Sequence, residues 1–142
     1  MIVALDAIPR AAEPCDPGLD WRPVRDHLGI TAFGVNAFLG AQWGDRVVEA
    51  HDEKHSGHEE LYVVVRGGAR FVIDGAEHDA PAGSLVLVPA GSAREAFATQ
   101  PQTAVLVVGA PAESFTVSEW EERQLALSEH GPDVSPGSDR PR

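Results

Sequence analysis

Three of the six histidines lie close together in the segment from Glu49 to Gly68, where acidic side chains surround them. They are His51, His55 and His58, and the apolar stretch Leu61–Val65 follows almost at once. Imidazole and carboxylate groups bind transition metals, and they also serve as general acids and bases. The segment therefore carries the residue types of a metal site or an acid–base site.

The apolar stretch after these histidines is predicted to be a buried β-strand, because it is short, rich in valine and followed by glycine. Side chains alternate between the two faces of a strand, which puts His58, Glu60 and Tyr62 on one face. A carboxylate and an imidazole on a buried face need water, a polar partner or a metal ion. The pattern does not identify a catalytic residue; the candidates for a catalytic residue are His58 and Tyr62.

The composition predicts one turn-rich β domain, since the chain has 142 residues, 14 glycines and 11 prolines, and 43% of its residues are hydrophobic. A formal net charge of −11 argues against nucleic acid and anionic membranes as partners, because both attract lysine and arginine. Cys15 is the single cysteine, so no intrachain disulfide is expected. The sequence shows no convincing targeting or membrane-spanning segment, and we expect a cytoplasmic protein.

Short apolar or alternating runs between glycine and proline turns predict the strands. We place them at Thr31–Leu39, Arg46–Ala50, Glu59–Arg66, Ala69–Ile73, Glu77–Asp79, Ser84–Val88, Ala93–Phe97 and Thr103–Val108, with a further candidate at Ser114–Val117. A helix is predicted after Ser118, which can cap it, with Glu121 completing a capping box. We expect a flexible N-terminal arm over residues 1–20, a β-barrel domain over 21–128 and a disordered tail over 129–142.

Two sets of residues around the predicted strands have a familiar spacing. Glu60 and Gly67 are seven residues apart, and Gly83, Pro89 and Gly91 follow in a second fixed register. This spacing resembles the two motifs of the cupin superfamily. The resemblance implies an all-β fold, namely the double-stranded β-helix or jelly-roll barrel of cupins. It also implies a small-molecule pocket inside the barrel and a homodimer.

The resemblance implies a ligand set for metal-binding cupins, made of two histidines and a glutamate from the first motif and a histidine from the second. The histidine pair falls on Glu53 and His55 with the longer motif spacing and on Lys54 and Ser56 with the shorter one, so at best His55 and Glu60 are retained. The last ligand position holds Arg94. A guanidinium stays protonated and does not ligate a metal. One hypothesis is a metal-dependent oxygenase, isomerase or lyase that holds one Fe, Mn, Ni, Zn or Cu ion through ligands drawn from His51, His55, His58 and Glu60.

A second hypothesis, which we favour, uses Arg94 directly. Arg94 would neutralise the buried Glu60 and form the polar centre of a degenerate site without a tightly held catalytic metal. Alternatively, Arg94 would bind a carboxylate or phosphate of a small ligand, with His58 and Tyr62 lining the pocket. Whether the protein is an enzyme stays open. A ligand-sensing module is a further alternative for the function. The alternative for the histidines is that they are solvated loop residues without a functional role.

Overall fold

The structure, a computed structural model, describes residues 1–12 and 16–129, and within them nine strands form two antiparallel sheets. The strands are β1 (Asp20–Arg22), β2 (Gly34–Gly40), β3 (Arg46–His51), β4 (His58–Arg66), β5 (Gly68–Ile73), β6 (Ala76–Pro81), β7 (Leu85–Val88), β8 (Arg94–Ala98) and β9 (Thr103–Pro111). One sheet has the strand order β1-β2-β9-β4-β7 and the other has the order β3-β8-β5-β6. The predicted all-β architecture is confirmed.

The strands predicted between residues 31 and 108 are all present, although their ends shift by a few residues. The candidate strand at Ser114–Val117 is wrong, because these residues have no regular structure. A strand must pair its backbone N–H and C=O groups with a neighbour, and no described strand pairs with this segment. Alternation of polar and apolar residues over only four positions is therefore not enough to predict a strand.

Two α-helices accompany the sheets in the described ranges, α1 (Val24–Leu28) and α2 (Glu119–Glu129). The sequence pattern does not indicate α1, because Pro23 argues against a helix interior. The structure places Pro23 directly before the first helical residue, where its missing N–H leaves no hydrogen bond unmade. α2 begins where predicted, and Oγ of Ser118 accepts a hydrogen bond from the backbone N–H of Glu121 at 3.3 Å.

The main hydrophobic core lies between the two sheets. Both sheets contribute buried side chains to it, including Phe38, Val64, Val88, Val105 and Val107 from the first sheet and Val47, Val48, Phe71, Ala96 and Ala98 from the second. The rings of Tyr62 and Phe71 meet edge to face across this core, with 5.5 Å between their centroids. Because alternate residues of the central strands point inward, polar residues that share their alternation also point into the barrel.

A second hydrophobic cluster covers the outer face of the first sheet. Ile8 is 3% exposed and packs in this cluster with Val35 of β2. Asp6 accepts two hydrogen bonds from the guanidinium of Arg66, at 2.6 and 2.8 Å. Described residues of the predicted arm therefore contact the sheet, whereas the flexibility of residues 1–20 stays a prediction.

Residues Met1–Ala112 form one compact unit, and a second unit begins at Glu113. No helix in the described ranges has the length and apolar character needed to cross a membrane. Cys15 and the part of the predicted tail from residue 130 onward lie outside the described residues. The domain limits drawn at residues 21 and 128 stay a prediction.

Candidate functional site

β4 carries Glu60 and Tyr62 on the face that points into the barrel. Tyr62 is 1% exposed, and its hydroxyl donates a hydrogen bond of 2.5 Å to Oε2 of Glu60. Glu60 lies opposite Gly109 of β9, where a Cβ atom would come within 3.2 Å of the Glu60 Cγ. The glycine therefore leaves room for the carboxylate inside the barrel, on the face that strand alternation predicts.

β3 approaches the same carboxylate with an irregular backbone. Its register against β8 shifts twice, once between Arg46 and Val48 and once between Val48 and His51. Such shifts break the strict alternation of a strand, and accordingly the adjacent Val47 and Val48 are both buried. His51 at the end of the strand turns towards Glu60, with 3.7 Å between its Nε2 and Oε2 of the carboxylate.

The imidazole of His51 lies among acidic groups. Its Nδ1 donates a hydrogen bond of 2.7 Å to the backbone carbonyl of Glu49, and its Nε2 lies 3.4 Å from Oε1 of Glu53. The nearby carboxylate of Glu60, followed by the carbonyl and charge of Glu49, raises the pKa of His51 to about 9 against the opposing effect of burial. Both ring nitrogens therefore carry protons at neutral pH, and the imidazole is a cation.

Glu60 is ionised and Tyr62 is neutral in this arrangement. Burial acts to raise the pKa of Glu60, but the nearby imidazolium of His51, the hydrogen bond from Tyr62 and the charge of Arg94 outweigh it and hold that pKa below its ordinary value. Burial, and then the negative charge of Glu60, raises the pKa of Tyr62. The phenol therefore keeps its proton and acts as the donor to the carboxylate.

Arg94 lies on β8 opposite His51, and its side chain is 0% exposed. Its Nη2 donates to the backbone carbonyl of Pro89 at 3.1 Å. Its Nε lies 3.9 Å from Oε2 of Glu60, which is too long for a hydrogen bond. Among the described residues, Nε and Nη1 have no hydrogen-bond partner. Arg94 is thus a buried counter-charge for Glu60 rather than a bidentate partner. We call the following residues the polar cluster: His51, Glu53, Glu60, Tyr62 and Arg94.

A cavity of about 660 Å³ lies between β1, β2 and β3, and we call it the barrel cavity. Its walls include the apolar residues Leu19, Trp21 and Phe38 and the polar residues Asn36, Arg46 and Glu49. Glu49 links the barrel cavity to the polar cluster, because its Oε1 lies 3.8 Å from Nδ1 of His51. Arg94 does not line this cavity; it contributes instead to a smaller cleft of about 420 Å³ together with His51, Asp52, Asp74 and Glu95.

The structure brings four of the sequence-predicted site residues together, namely His51, Glu60, Tyr62 and Arg94. His55 is exposed in the loop before β4, and His58 is the first residue of that strand. Neither belongs to the group of potential metal ligands found in the described ranges.

Sequence reasoning does not select Glu49 and Glu53 as site residues. Glu53 enters the site through the loop after β3, where its Oε2 accepts a hydrogen bond from the hydroxyl of Ser56. A signal for Glu53 exists in the motif register, which places it at one of the two first-motif histidine positions. No comparable signal points to Glu49, since its orientation depends on the irregular register of β3.

Solved structures share this fold at low sequence identity. A predicted oxalate decarboxylase from Thermotoga maritima has a TM-score of 0.60 and 16% identity, covering 77% of this chain and 97% of its own. A sugar phosphate isomerase of the cupin superfamily from Silicibacter pomeroyi has a TM-score of 0.60 and 21% identity, covering 78% and 76%. An RmlC-like cupin from Desulfovibrio desulfuricans has a TM-score of 0.50 and 29% identity, covering 56% and 72%. No curated protein matches the chain significantly.

The sequence itself decides the family, because a model of the cupin domain matches residues 44–109. Residues 44–109 of this chain are a cupin domain. The jelly-roll fold implied by the resemblance at Glu60, Gly67, Gly83, Pro89 and Gly91 is thereby confirmed. At 16% and 21% identity, the decarboxylase and isomerase establish the cupin fold and no particular reaction.

The cupin resemblance implies a divalent metal ion, and His51, Glu53 and Glu60 are the residues that could hold it. One ligand atom from each lies within 4.8 Å of the others. One imidazole and two carboxylates suit Zn, Mn or Fe, and His51 would bind through Nε2 after losing its proton there, while Nδ1–H keeps its hydrogen bond to the backbone carbonyl. The donor types therefore fit a divalent ion, although the nearby positive charge of Arg94 weakens its binding.

Proposed function

We propose that this cupin binds a small organic molecule in the barrel cavity, at the border of the polar cluster. The observation that carries the proposal is the position of Glu49, which lines the cavity and also lies 3.8 Å from the imidazole of His51. The cavity volume of about 660 Å³ is typical of small-molecule sites, which span roughly 300–1,000 Å³. A bound molecule would contact apolar walls and charged groups at the same time.

Glu60 and Arg94 organise the polar centre of the proposed site. The ionised Glu60 receives a hydrogen bond from Tyr62, and the charges of His51 and Arg94 lie within 4 Å of it. Protein groups alone therefore balance the buried carboxylate, which supports a site without a tightly held catalytic metal. Acid–base catalysis and ligand sensing both fit such a site, and the reactions of distant relatives are not carried over to it.

Metal-dependent catalysis of the oxygenase, isomerase or lyase type is a second candidate function. The observation that favours it is the convergence of ligand atoms from His51, Glu53 and Glu60. A divalent ion bound there would supply a Lewis acid. Elemental analysis of protein purified without a histidine tag or chelator tests this candidate. Near one metal equivalent per chain would support it, and near zero after incubation with Fe, Mn, Ni and Zn would remove it.

The fluorescence of Trp21 tests the proposed small-molecule site. Trp21 lines the barrel cavity, whereas Trp43 and Trp120 are 75% and 71% exposed. The double variant Trp43→Phe/Trp120→Phe therefore keeps one tryptophan, inside the proposed site. We expect members of a small-molecule library to change the emission of Trp21 with saturation.

A cavity-filling variant provides the control for this measurement. Asn36→Phe in the single-tryptophan background places a ring in the barrel cavity and should abolish the emission change. Gln42→Phe adds the same ring at an exposed position and should leave the change intact. Thermal unfolding checks that both variants are folded. An emission change that persists in folded Asn36→Phe protein would contradict the proposal.

We further propose a homodimer that buries the outer face of β7. Leu85 and Leu87 on this edge strand are 68% and 59% exposed, and they pair with Val63 and Leu61 of β4. Apolar side chains exposed along a sheet edge are typical of interaction surfaces. The mass measured by light scattering should fall by half in the variant Leu85→Lys/Leu87→Lys, and an unchanged mass would contradict this interface. The cytoplasmic location stays a prediction.

A further inference from the structure

We infer that the molecule held in the barrel cavity carries a protonated amine, and that Glu49 is the residue that receives it. The inference rests on the proposed function, because it names the ligand class of the same cavity. It assigns Glu49 a binding role that differs from the role of Glu60, whose carboxylate is already engaged inside the barrel by Tyr62 and His51.

Glu49 has unused hydrogen-bonding capacity at the cavity wall. Its side chain is 42% exposed as a whole, yet its Oε2 is shielded from solvent and has no hydrogen-bond partner among residues 1–12 and 16–129. The other oxygen, Oε1, lies 3.8 Å from Nδ1 of His51, which is beyond hydrogen-bond length. A shielded carboxylate oxygen without a donor is unfavourable, so a rotation of the Glu49 carboxylate that brings Oε2 to a ligand N–H in the cavity gains a bond that the free protein lacks.

The other charged groups of the cavity wall are already paired. Arg46 donates a hydrogen bond of 3.1 Å from Nη1 to Oδ2 of Asp16, and its Nη2 lies 4.0 Å from Glu95. The same guanidinium lies over the ring of Phe97, 5.6 Å from its centroid. Arg46 thus has a carboxylate partner at hydrogen-bond distance, whereas Glu49 faces the His51 cation only at 3.8 Å and keeps Oε2 without a hydrogen bond, so Glu49 is the less satisfied of the two charged groups.

The remaining walls suit an organic cation. Trp21 and Phe38 place two aromatic side chains in the lining, and the faces of aromatic rings attract positive charge. The net charge of −11 also favours the approach of cations over anions.

An anionic ligand has a weaker anchor in this cavity, because the Arg46 guanidinium in the wall already donates a hydrogen bond to Asp16. Arg94, the candidate for binding a carboxylate or phosphate, does not line the barrel cavity, and its Nη2 already donates to the carbonyl of Pro89. The polar end of the cavity is therefore acidic at the position that a ligand can reach. The cavity should therefore bind an amine more tightly than a carboxylic acid of the same size.

Three probes with the same ring separate the charge preference from binding itself. Benzylamine, benzyl alcohol and benzoate are titrated at neutral pH into the Trp43→Phe/Trp120→Phe protein, with Trp21 emission as the readout. We expect benzylamine to bind at least about tenfold more tightly than benzoate, which corresponds to roughly 1.4 kcal/mol. Glu49→Gln should lower the affinity for benzylamine by about the same factor and leave that for benzyl alcohol unchanged.

Glu59→Gln is the matched control, because it removes one negative charge at an exposed position. It should leave all three affinities unchanged. Benzoate binding as tightly as benzylamine would overturn the inference, and so would equal losses in Glu49→Gln and Glu59→Gln. Both of these outcomes leave the proposed small-molecule site standing. If benzyl alcohol and the two charged probes all fail to bind, the proposed function is overturned and the inference with it.

Discussion

Arg94 and Glu60 face each other inside the barrel, with 3.9 Å between Nε of the guanidinium and Oε2 of the carboxylate. The Arg94 side chain has no exposed surface, and its Nε and Nη1 lack hydrogen-bond partners within the described residues. A buried ion pair gains most when its remaining donors are also satisfied. The pair therefore neutralises charge inside the barrel while leaving part of the guanidinium unsatisfied.

Removing the guanidinium should destabilise the fold. Arg94→Met keeps much of the side-chain volume but leaves Glu60 as a buried carboxylate without its arginine. We expect the free energy of unfolding to fall by roughly 3–5 kcal/mol, as for other broken buried pairs. Chemical denaturation followed by circular dichroism measures this change.

A double variant separates the lost charge from the lost packing. Arg94→Met/Glu60→Gln removes both charges, and it should recover much of the stability that Arg94→Met loses. A loss below about 0.5 kcal/mol in the single variant is typical of surface substitutions and would contradict the buried pair.

Tyr62→Phe tests the hydrogen bond that Tyr62 donates to Glu60, a residue of the same strand. The substitution removes one oxygen and preserves the ring that packs against Phe71. We expect a loss of roughly 1.5–3 kcal/mol in the free energy of unfolding, because the acceptor is a charged carboxylate. Denaturation of the wild type and the variant at neutral pH measures it. Equal stability would show that the phenol and the carboxylate do not interact in solution.

His51 should make the stability depend on pH in the neutral to alkaline range. Its pKa of about 9 in the folded protein exceeds the ordinary value of 6.5, so the folded state binds the proton more tightly than the unfolded chain does. This contribution is complete below pH 6.5 and is lost as the pH rises through 9. The slope cannot exceed about 1.4 kcal/mol per pH unit, and partial exposure of the imidazole reduces it.

Denaturation midpoints measured across this pH range test the prediction. His51→Gln should flatten the pH profile, and His55→Gln should leave it unchanged because His55 is exposed. A wild-type stability that rises from neutral to alkaline pH would contradict the assignment of His51 as a cation in the folded protein.

Regular elements allow the fold and three of the five residues of the polar cluster to be predicted from sequence. Glycine and proline turns separate the strands, and β4 has regular alternation up to Val64. For this reason alternation alone places Glu60 and Tyr62 on one inward face. The motif register likewise points to Arg94, which lies on β8 with its side chain fully buried.

Irregular backbone explains what the sequence does not reveal. Alternation would put Val47 and Val48 on opposite faces, yet both are buried because the register of β3 shifts on each side of Val48. The same shifts determine where Glu49 and His51 point. A bulge depends on pairing with a distant strand, so it leaves no reliable local signal. The cavity beside Glu49 is unpredictable for the same reason.

Zinc titration of variants that each remove one charge distinguishes a metal-binding site from a metal-free small-molecule site. If His51, Glu53 and Glu60 can hold a divalent ion, the positive charge of Arg94 opposes binding, because it lies 3.9 Å from one of the ligand atoms. Arg94→Gln should then increase the affinity for Zn²⁺, measured by calorimetry, by at least about tenfold, which corresponds to roughly 1.4 kcal/mol. Adding Glu53→Gln removes one ligand and should reverse the gain. Weak Zn²⁺ binding that neither substitution changes would exclude the polar cluster as a metal site. Arg94 would then be the lasting counter-charge of Glu60.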